Sequence, residues 1–382
     1  MKTKYLILLS LSGALTVGCS REPAPVEPGQ AVALEFAPVV SPAAETRGAI
    51  FGDASGRMPK WSSYGLFICE HHTGGANPYQ EYALNYNNIQ AYRSNTTGQW
   101  SYYYFGYTDG FPILFITPKD EDRDGVTDVN ADIFAYAPYQ QSVTTPESVP
   151  FSITDAVDVM YAAENTDPVT NKDIDPATDS RITPGADGAR HLDVPLTFTH
   201  ALALLEFEIR LKNNGYNHPF GEGTANDYRL DFIRIDRKEG GHPLYSTGMM
   251  DAMTGGTLTD LTAVNSLTVS GGNLGLHYTA SNAYLYIRPN QTTKAYILQV
   301  PSQTGETYSD GDYTFAFKFA DQVFPMTFTL LKEHIRHADG TTYGFQPGYR
   351  YTFKFMIDNY IHFEGVTIGE WDAVETPFQT EI

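Results

Sequence analysis

The chain has 382 residues, with 45 acidic against 25 basic side chains and a net charge of −20. That acidity, with no basic cluster to offset it, opposes binding to nucleic acid and suits a soluble surface protein. With 26 Tyr, 22 Phe, 33 Gly, 23 Pro and 2 Cys, the chain reads as turn-rich β-structure without a disulfide framework, long enough for two domains.

The first element is an export signal. Lys2 and Lys4 form a positive start, and Tyr5 to Val17 form an apolar run too short to span a bilayer. Leu15-Thr16-Val17-Gly18-Cys19 then puts a cysteine behind a small residue, where a bacterial lipoprotein is cut and acylated. Thr16 stands where Leu is more usual. On this reading residues 1–18 are a signal peptide and Cys19 is the lipidation site, whose palmitate-type chains hold the protein at a cell envelope. Each buried methylene contributes about 0.8 kcal/mol, so two or three chains anchor firmly.

Residues 20–30 are Pro-rich and read as a tether. In the next segment Val32, Leu34 and Phe36 alternate onto one face, the period of a half-buried strand. The Pro- and Ala-rich stretch behind it ends in Arg47-Gly48. Arg47 is accessible there to an arginine-specific protease; an ordinary loop arginine fits the local sequence as well.

Strands are expected at 63–69, 100–107, 112–117, 133–137, 192–198, 202–211, 229–236, 283–287, 295–300, 313–319, 324–331, 350–357 and 366–371. Cys69 ends the first as a small core thiol. With His71 and His72 it offers metal-ligand types, but the spacing lacks a fourth partner and a zinc pattern. The run Trp100 to Phe105 would stack on sugars if its rings were exposed and coplanar; buried rings would make it scaffold. Asp120, Asp122, Asp124 and Asp128 with Gly125 have the spacing of a calcium loop, whose closing Glu is replaced by Ala131. An acidic hairpin loop is the competing reading. A short helix is expected from Thr154 to Ala163, and 165–190 reads as a polar surface loop. His200 ends a strand and is expected to bond backbone. In Leu205 to Leu211 odd positions are apolar and even ones charged, which predicts one wet face. The Asn- and Gly-rich stretch from Lys212 to Asn226 marks a domain boundary. His334 and His337 read as a surface turn.

For catalysis there is no Gly-x-Ser-x-Gly elbow, His-Glu-x-x-His helix or phosphate loop, and no two carboxylates stand out as a pair. The chain is not read as an enzyme.

Several segments resemble, in order, the fimbrillin family of Bacteroidetes pili. After the lipoprotein leader, Thr46-Arg47-Gly48-Ala49 resembles its maturation site, and Ile133 to Tyr139 its aromatic strand end. Asp158-Val159-Met160-Tyr161-Ala162 is similar to its "DLMYA" segment, and Val194 to Ala203 to its "L-x-F-x-H-A-L-A" strand. Phe345 to Phe353 and Val366 to Trp371 resemble its closing strands. The resemblance implies an all-β chain of two transthyretin-like β-sandwich domains in tandem: a leader (1–18), a propeptide with a removable strand (19–47), and domains at 48–212 and 213–382. It also implies a lipidated precursor cut between Arg47 and Gly48, whose lost strand (Val32, Leu34, Phe36) is replaced by a strand from another pilin subunit. At the C-terminus Val374, Thr376, Phe378, Thr380 and Ile382 alternate, the pattern of a candidate donor strand; a closing strand with a frayed tail is the other reading. Pro377 lacks an N–H, so its bonding side must face outward. The expected role is a stalk or tip pilin; a surface lipoprotein adhesin or carbohydrate-binding module is the alternative.

Overall fold

The computed structural model describes residues 31–40, 63–72, 80–81, 86–93, 99–104, 110–119, 129–155, 158–162, 172–185, 189–212, 228–270, 285–287, 291–320, 323–358 and 360–371. The first half holds β1 (Val32–Val40), β2 (Ser63–His72), β3 (Gln80–Glu81), β4 (Ile89–Arg93), β5 (Trp100–Tyr103), β6 (Leu114–Ile116), β7 (Val129–Ala137), β8 (Val149–Ser152), β9 (Met160–Ala162), β10 (Thr183–Pro184) and β11 (Arg190–His200). All but β8 join one sheet, in the order β5-β4-β2-β7-β9-β11-β1-β6, with β3 beside β2 and β10 beside β11. Tyr102 and Phe111 exchange backbone hydrogen bonds of 2.8 and 2.9 Å, which bring the two margins of the sheet together. The curled sheet encloses one core. Leu192, Val194, Leu196 and Phe198 of β11 meet Leu66 and Ile68 of β2, Ile133 and Ala135 of β7, and Leu114 and Ile116 of β6.

Central strands β2 and β7 are buried on both faces. Phe67, Cys69, Phe134 and Tyr136 point away from that core into a second cluster shared with the other half. The Tyr136 ring crosses β2 at Gly65, where a Cβ would sit 2.1 Å from its Cε1. Its hydroxyl donates to Asn88 Oδ1 at 2.7 Å, so the ring cannot swing aside without breaking a buried bond. Gly65→Ala should therefore lower stability by about 1–3 kcal/mol, the usual cost of overpacking. A urea midpoint unchanged from the parent would refute that.

The second half holds β12 (Ala203–Leu211), β13 (Tyr228–Arg237), β14 (Leu244–Asp251), β15 (Thr257–Val264), β16 (Ser266–Ser270), β17 (Leu285–Ile287), β18 (Thr293–Gln299), β19 (Tyr313–Phe319), β20 (Met326–Thr329), β21 (Tyr349–Ile357) and β22 (Ile361–Glu370). A four-stranded sheet β18-β12-β21-β22 faces a five-stranded sheet β16-β13-β19-β20, with β17 on β13. Aromatic rings fill the gap between them. Phe207 of β12 meets Phe315 and Phe317 of β19 at 5.2 and 5.6 Å, and Phe353 of β21 meets Phe315 at 5.4 Å. The protein is thus an all-β, sandwich-type molecule.

The change of sheet falls at Ala201-Leu202. β12 pairs with β18 and β21, so it is a strand of the second half although it precedes the Asn- and Gly-rich stretch. Conversely β8, from the first half, pairs with β14 in a three-stranded sheet β15-β14-β8. The halves therefore share strands as well as a core.

Three expectations need correction. No helix spans 154–163: Ile153–Asp155 is one 3-10 turn, and Met160–Ala162 is a strand caught between β7 and β11. The charged face of β12 is not wholly wet: Glu206 is buried, held by Lys294 Nζ at 3.1 Å and Arg350 Nη1 at 3.8 Å. The polar stretch before Arg190 is partly built in, because Ile174 is buried and exchanges backbone bonds with Ala131.

Candidate functional site

β1 lies inside the sheet, with both edges paired. It runs parallel to β11 from Val32 opposite Arg190 to Val40 opposite Phe198. On its other side Val32, Ala33 and Leu34 pair antiparallel with Ile116, Phe115 and Leu114 of β6. Its alternation explains the fit. Val32 and Leu34 are 0 and 1 % exposed. Phe36 packs at the margin of the same core, 5.5 Å from the Tyr102 ring. Glu35, on the opposite face, meets His191 Nδ1 at 2.6 Å. β6 is also held without β1: Tyr86 Oη donates to the Phe115 carbonyl at 2.6 Å and accepts from its N–H at 3.2 Å.

A second locus joins the two halves. Ala201 N–H donates to the Val159 carbonyl at 3.0 Å, Gly348 N–H to Leu202 at 2.9 Å, and Trp371 N–H to Gly348 at 2.5 Å. Gly348 takes a left-handed φ of 72°, which a side chain would disfavour. Around this backbone knot, buried His200 bonds Asp158 through Nδ1 and stacks on Trp371 at 4.0 Å. His200 does end its strand as expected, but it bonds a carboxylate, not backbone. Burial drives the Asp158 carboxyl above its ordinary range, and His200 offsets only part of that. Four segments far apart in sequence, all read above as motifs, meet here.

The other named residues divide sharply. Cys69 is buried as expected, but alternation sends His71 and His72 to opposite faces of β2, where His72 Nε2 meets Glu70 at 3.4 Å. Tyr102 is buried and Trp100 packs edge-on against Tyr64 at 4.9 Å, so the described residues of this run offer no flat exposed platform. His337 is tied into the fold through Tyr351 Oη at 2.8 Å, and His334 Nδ1 accepts from Leu331 N–H at 3.1 Å. Cys19, Arg47 and Gly48 lie outside the described residues. So do Asp120, Asp122, Asp124 and Asp128, and the tail residues Val374, Thr376, Phe378, Thr380 and Ile382.

A family model described as fimbrillin-like matches residues 126–371, a span that contains the whole Asp158–His200–Trp371 junction. The chain belongs to the fimbrillin-like family. Membership makes it a fimbrial structural protein of the cell surface, with other fimbrial subunits as partners. No curated protein matches the sequence. Among solved structures, a candidate cell adhesion protein from Bacteroides ovatus matches over 91 % of this chain and 99 % of its own, at 14 % identity and a TM-score of 0.51. One from Bacteroides uniformis matches over 90 % of this chain and 99 % of its own, also at 14 % identity, with a TM-score of 0.50. At such identities the likeness is one of fold, and it extends beyond the family match to nearly the whole of this fimbrillin-like chain.

Proposed function

We propose that this protein is a polymerising fimbrial subunit, matured by removal of β1 and joined to the next subunit by strand addition. The role is structural, not enzymatic. In this reading Cys19 carries the lipid that holds the precursor in the outer membrane, and an arginine-specific protease cuts between Arg47 and Gly48. The cut releases residues 19–47, anchor and strand together. The observation that carries the reading is the seating of β1. It is a core-filling strand with partners on both edges, and it lies shortly before Arg47 in the chain. Removal would open an apolar slot between β11 and β6 and leave two unpaired edges, a strong drive to pair again. The division into two domains is proposed with the same strand logic, the second starting with β12.

N-terminal sequencing of the surface protein tests the maturation step. A start at Gly48 is expected; an acylated Cys19 on the assembled protein would overturn it. Deleting residues 373–382 tests the donor. Monomers or very short polymers are expected, and fibres of undiminished length would sink the donor role. The adhesin alternative gains no support from the aromatic run, in which Tyr102 is buried.

A further inference from the structure

Three segments bring His71, Asp132 and Asp173 together, away from the slot and the junction. His71 lies near the end of β2, Asp132 within β7, and Asp173 in the turn before Ile174. In the β2–β7 register Cys69 faces Asp132 and His71 faces Asn130, so His71 and Asp132 are diagonal neighbours on one face. The paired hydrogen bonds between Ile174 and Ala131 hold the turn against β7. Asp173 takes a left-handed φ of 53°, and its N–H donates to Asp132 Oδ1 at 2.8 Å. Its carboxylate lies against His71 Nδ1, which faces Asp132 Oδ1 at 3.9 Å. That ring nitrogen is enclosed, and the Asp173 carboxylate is its nearest partner. Asp132 is itself deeply buried, its side chain 6 % exposed.

We infer that His71, Asp132 and Asp173 form a binding site for a divalent transition metal of the zinc class. One ligand atom from each lies within 4.8 Å of the others. A tetrahedral ion with bonds of about 2.1 Å holds its ligand atoms roughly 3.4 Å apart, so modest side-chain rotation closes the set. An imidazole nitrogen with two carboxylates suits zinc; calcium and magnesium favour all-oxygen shells. Two ligands stand on a hydrogen-bonded strand pair, which fixes their separation. An entering ion would give the buried Asp132 a counter-charge and take the place of the direct contact between His71 and Asp173. Three protein ligands leave a coordination position open to water or to a group from outside. A bound ion would clip the turn at 172–173 onto β2 and β7.

The competing arrangement is a protonated imidazole between two carboxylates, and titration separates the two. Chelator-stripped full-length protein is titrated with zinc chloride by calorimetry and followed in thermal unfolding. One zinc per chain and a melting temperature raised by several degrees are expected. His71→Gln and Asp132→Asn should each weaken binding at least tenfold, with the metal-free melting curve showing that each variant still folds. No zinc-dependent shift would overturn the site, as would a shift that survives in both variants. A response to calcium chloride alone would also overturn it.

Discussion

Arg47→Ala should leave the protein at the cell surface as a lipidated monomer that does not enter fibres. The uncut chain keeps β1, and β1 already occupies the position that an incoming strand needs. Burial of Val32 and Leu34 contributes about 1.5–3 kcal/mol each, and each backbone bond along the strand adds about 0.5–1.5 kcal/mol. A donor in solution must displace that total while β1, tethered in the same molecule, competes at high local concentration. Cleavage removes the competitor. The cut subunit lacking residues 1–47 should then melt well below the precursor, because it loses a share comparable to the marginal stability of a domain. A synthetic peptide of residues 373–382 should restore the loss. Its alternate residues Val374, Thr376, Phe378, Thr380 and Ile382 repeat the spacing of Val32, Leu34, Phe36, Pro38 and Val40, so Phe378 falls where Phe36 sat. Phe378→Asp should abolish the rescue. Normal fibres from Arg47→Ala would sink the maturation step, and rescue by the Asp peptide would sink the register.

Asp158→Ala should lower the unfolding free energy by about 1–3 kcal/mol, the usual cost of leaving a buried hydrogen-bonding partner unsatisfied. Asp158 is 0 % and His200 4 % exposed. The substitution leaves His200 without its Nδ1 partner and opens a void beside the stack on Trp371. Asp158→Asn keeps the volume and a hydrogen-bonding oxygen, so its loss should be clearly smaller. The pH response should separate the variants too. Burial raises the folded carboxyl above its ordinary 3.8, so the folded state holds that proton more tightly than the unfolded chain. The stabilising contribution is complete below pH 3.8 and declines as pH rises through the raised folded value. Asp158→Asn carries no such proton, so its urea midpoint should be flatter across that window. Equal midpoints for the Ala and Asn variants would count against the pair as the source of the effect.

The sequence exposes what repeats with a period of two against an apolar core. Arg190 to His200 and Tyr313 to Phe319 alternate cleanly, and both are legible without coordinates. Several strands that escape detection lack that contrast, while β16, which alternates Leu267 and Val269, escapes by being only five residues long. β15 is Thr257–Val264, with no fully buried side chain, and is held by pairing to β14. β8 and β9 are too short to carry a pattern. β12 shows its alternation but not its allegiance, because which sheet a strand joins depends on register with distant partners. The site divides in the same way. Val32, Leu34 and Phe36 are visible as a strand, while its placement between a parallel and an antiparallel neighbour is not. Asp158, His200 and Trp371 are visible as separate motifs. Their meeting rests on backbone bonds among Val159, Ala201, Leu202, Gly348 and Trp371, which no local signal encodes.

The slot held by β1 also has a direction. Its places are graded, with Val32 and Leu34 enclosed and Phe36 at the margin beside Tyr102. A strand entering backwards would carry its residues to the wrong depths and exchange the parallel edge for the antiparallel one. On the proposed reading, an incoming strand that reproduces these contacts enters in the direction of β1, so a tail of one molecule in the slot of the next makes a head-to-tail contact. Head-to-tail contacts of that kind, repeated without closing into a ring, run on as a line. The two extremities of such a line are chemically unlike, one with a vacant slot and one with an unclaimed strand, so growth and capping become separate problems at separate ends.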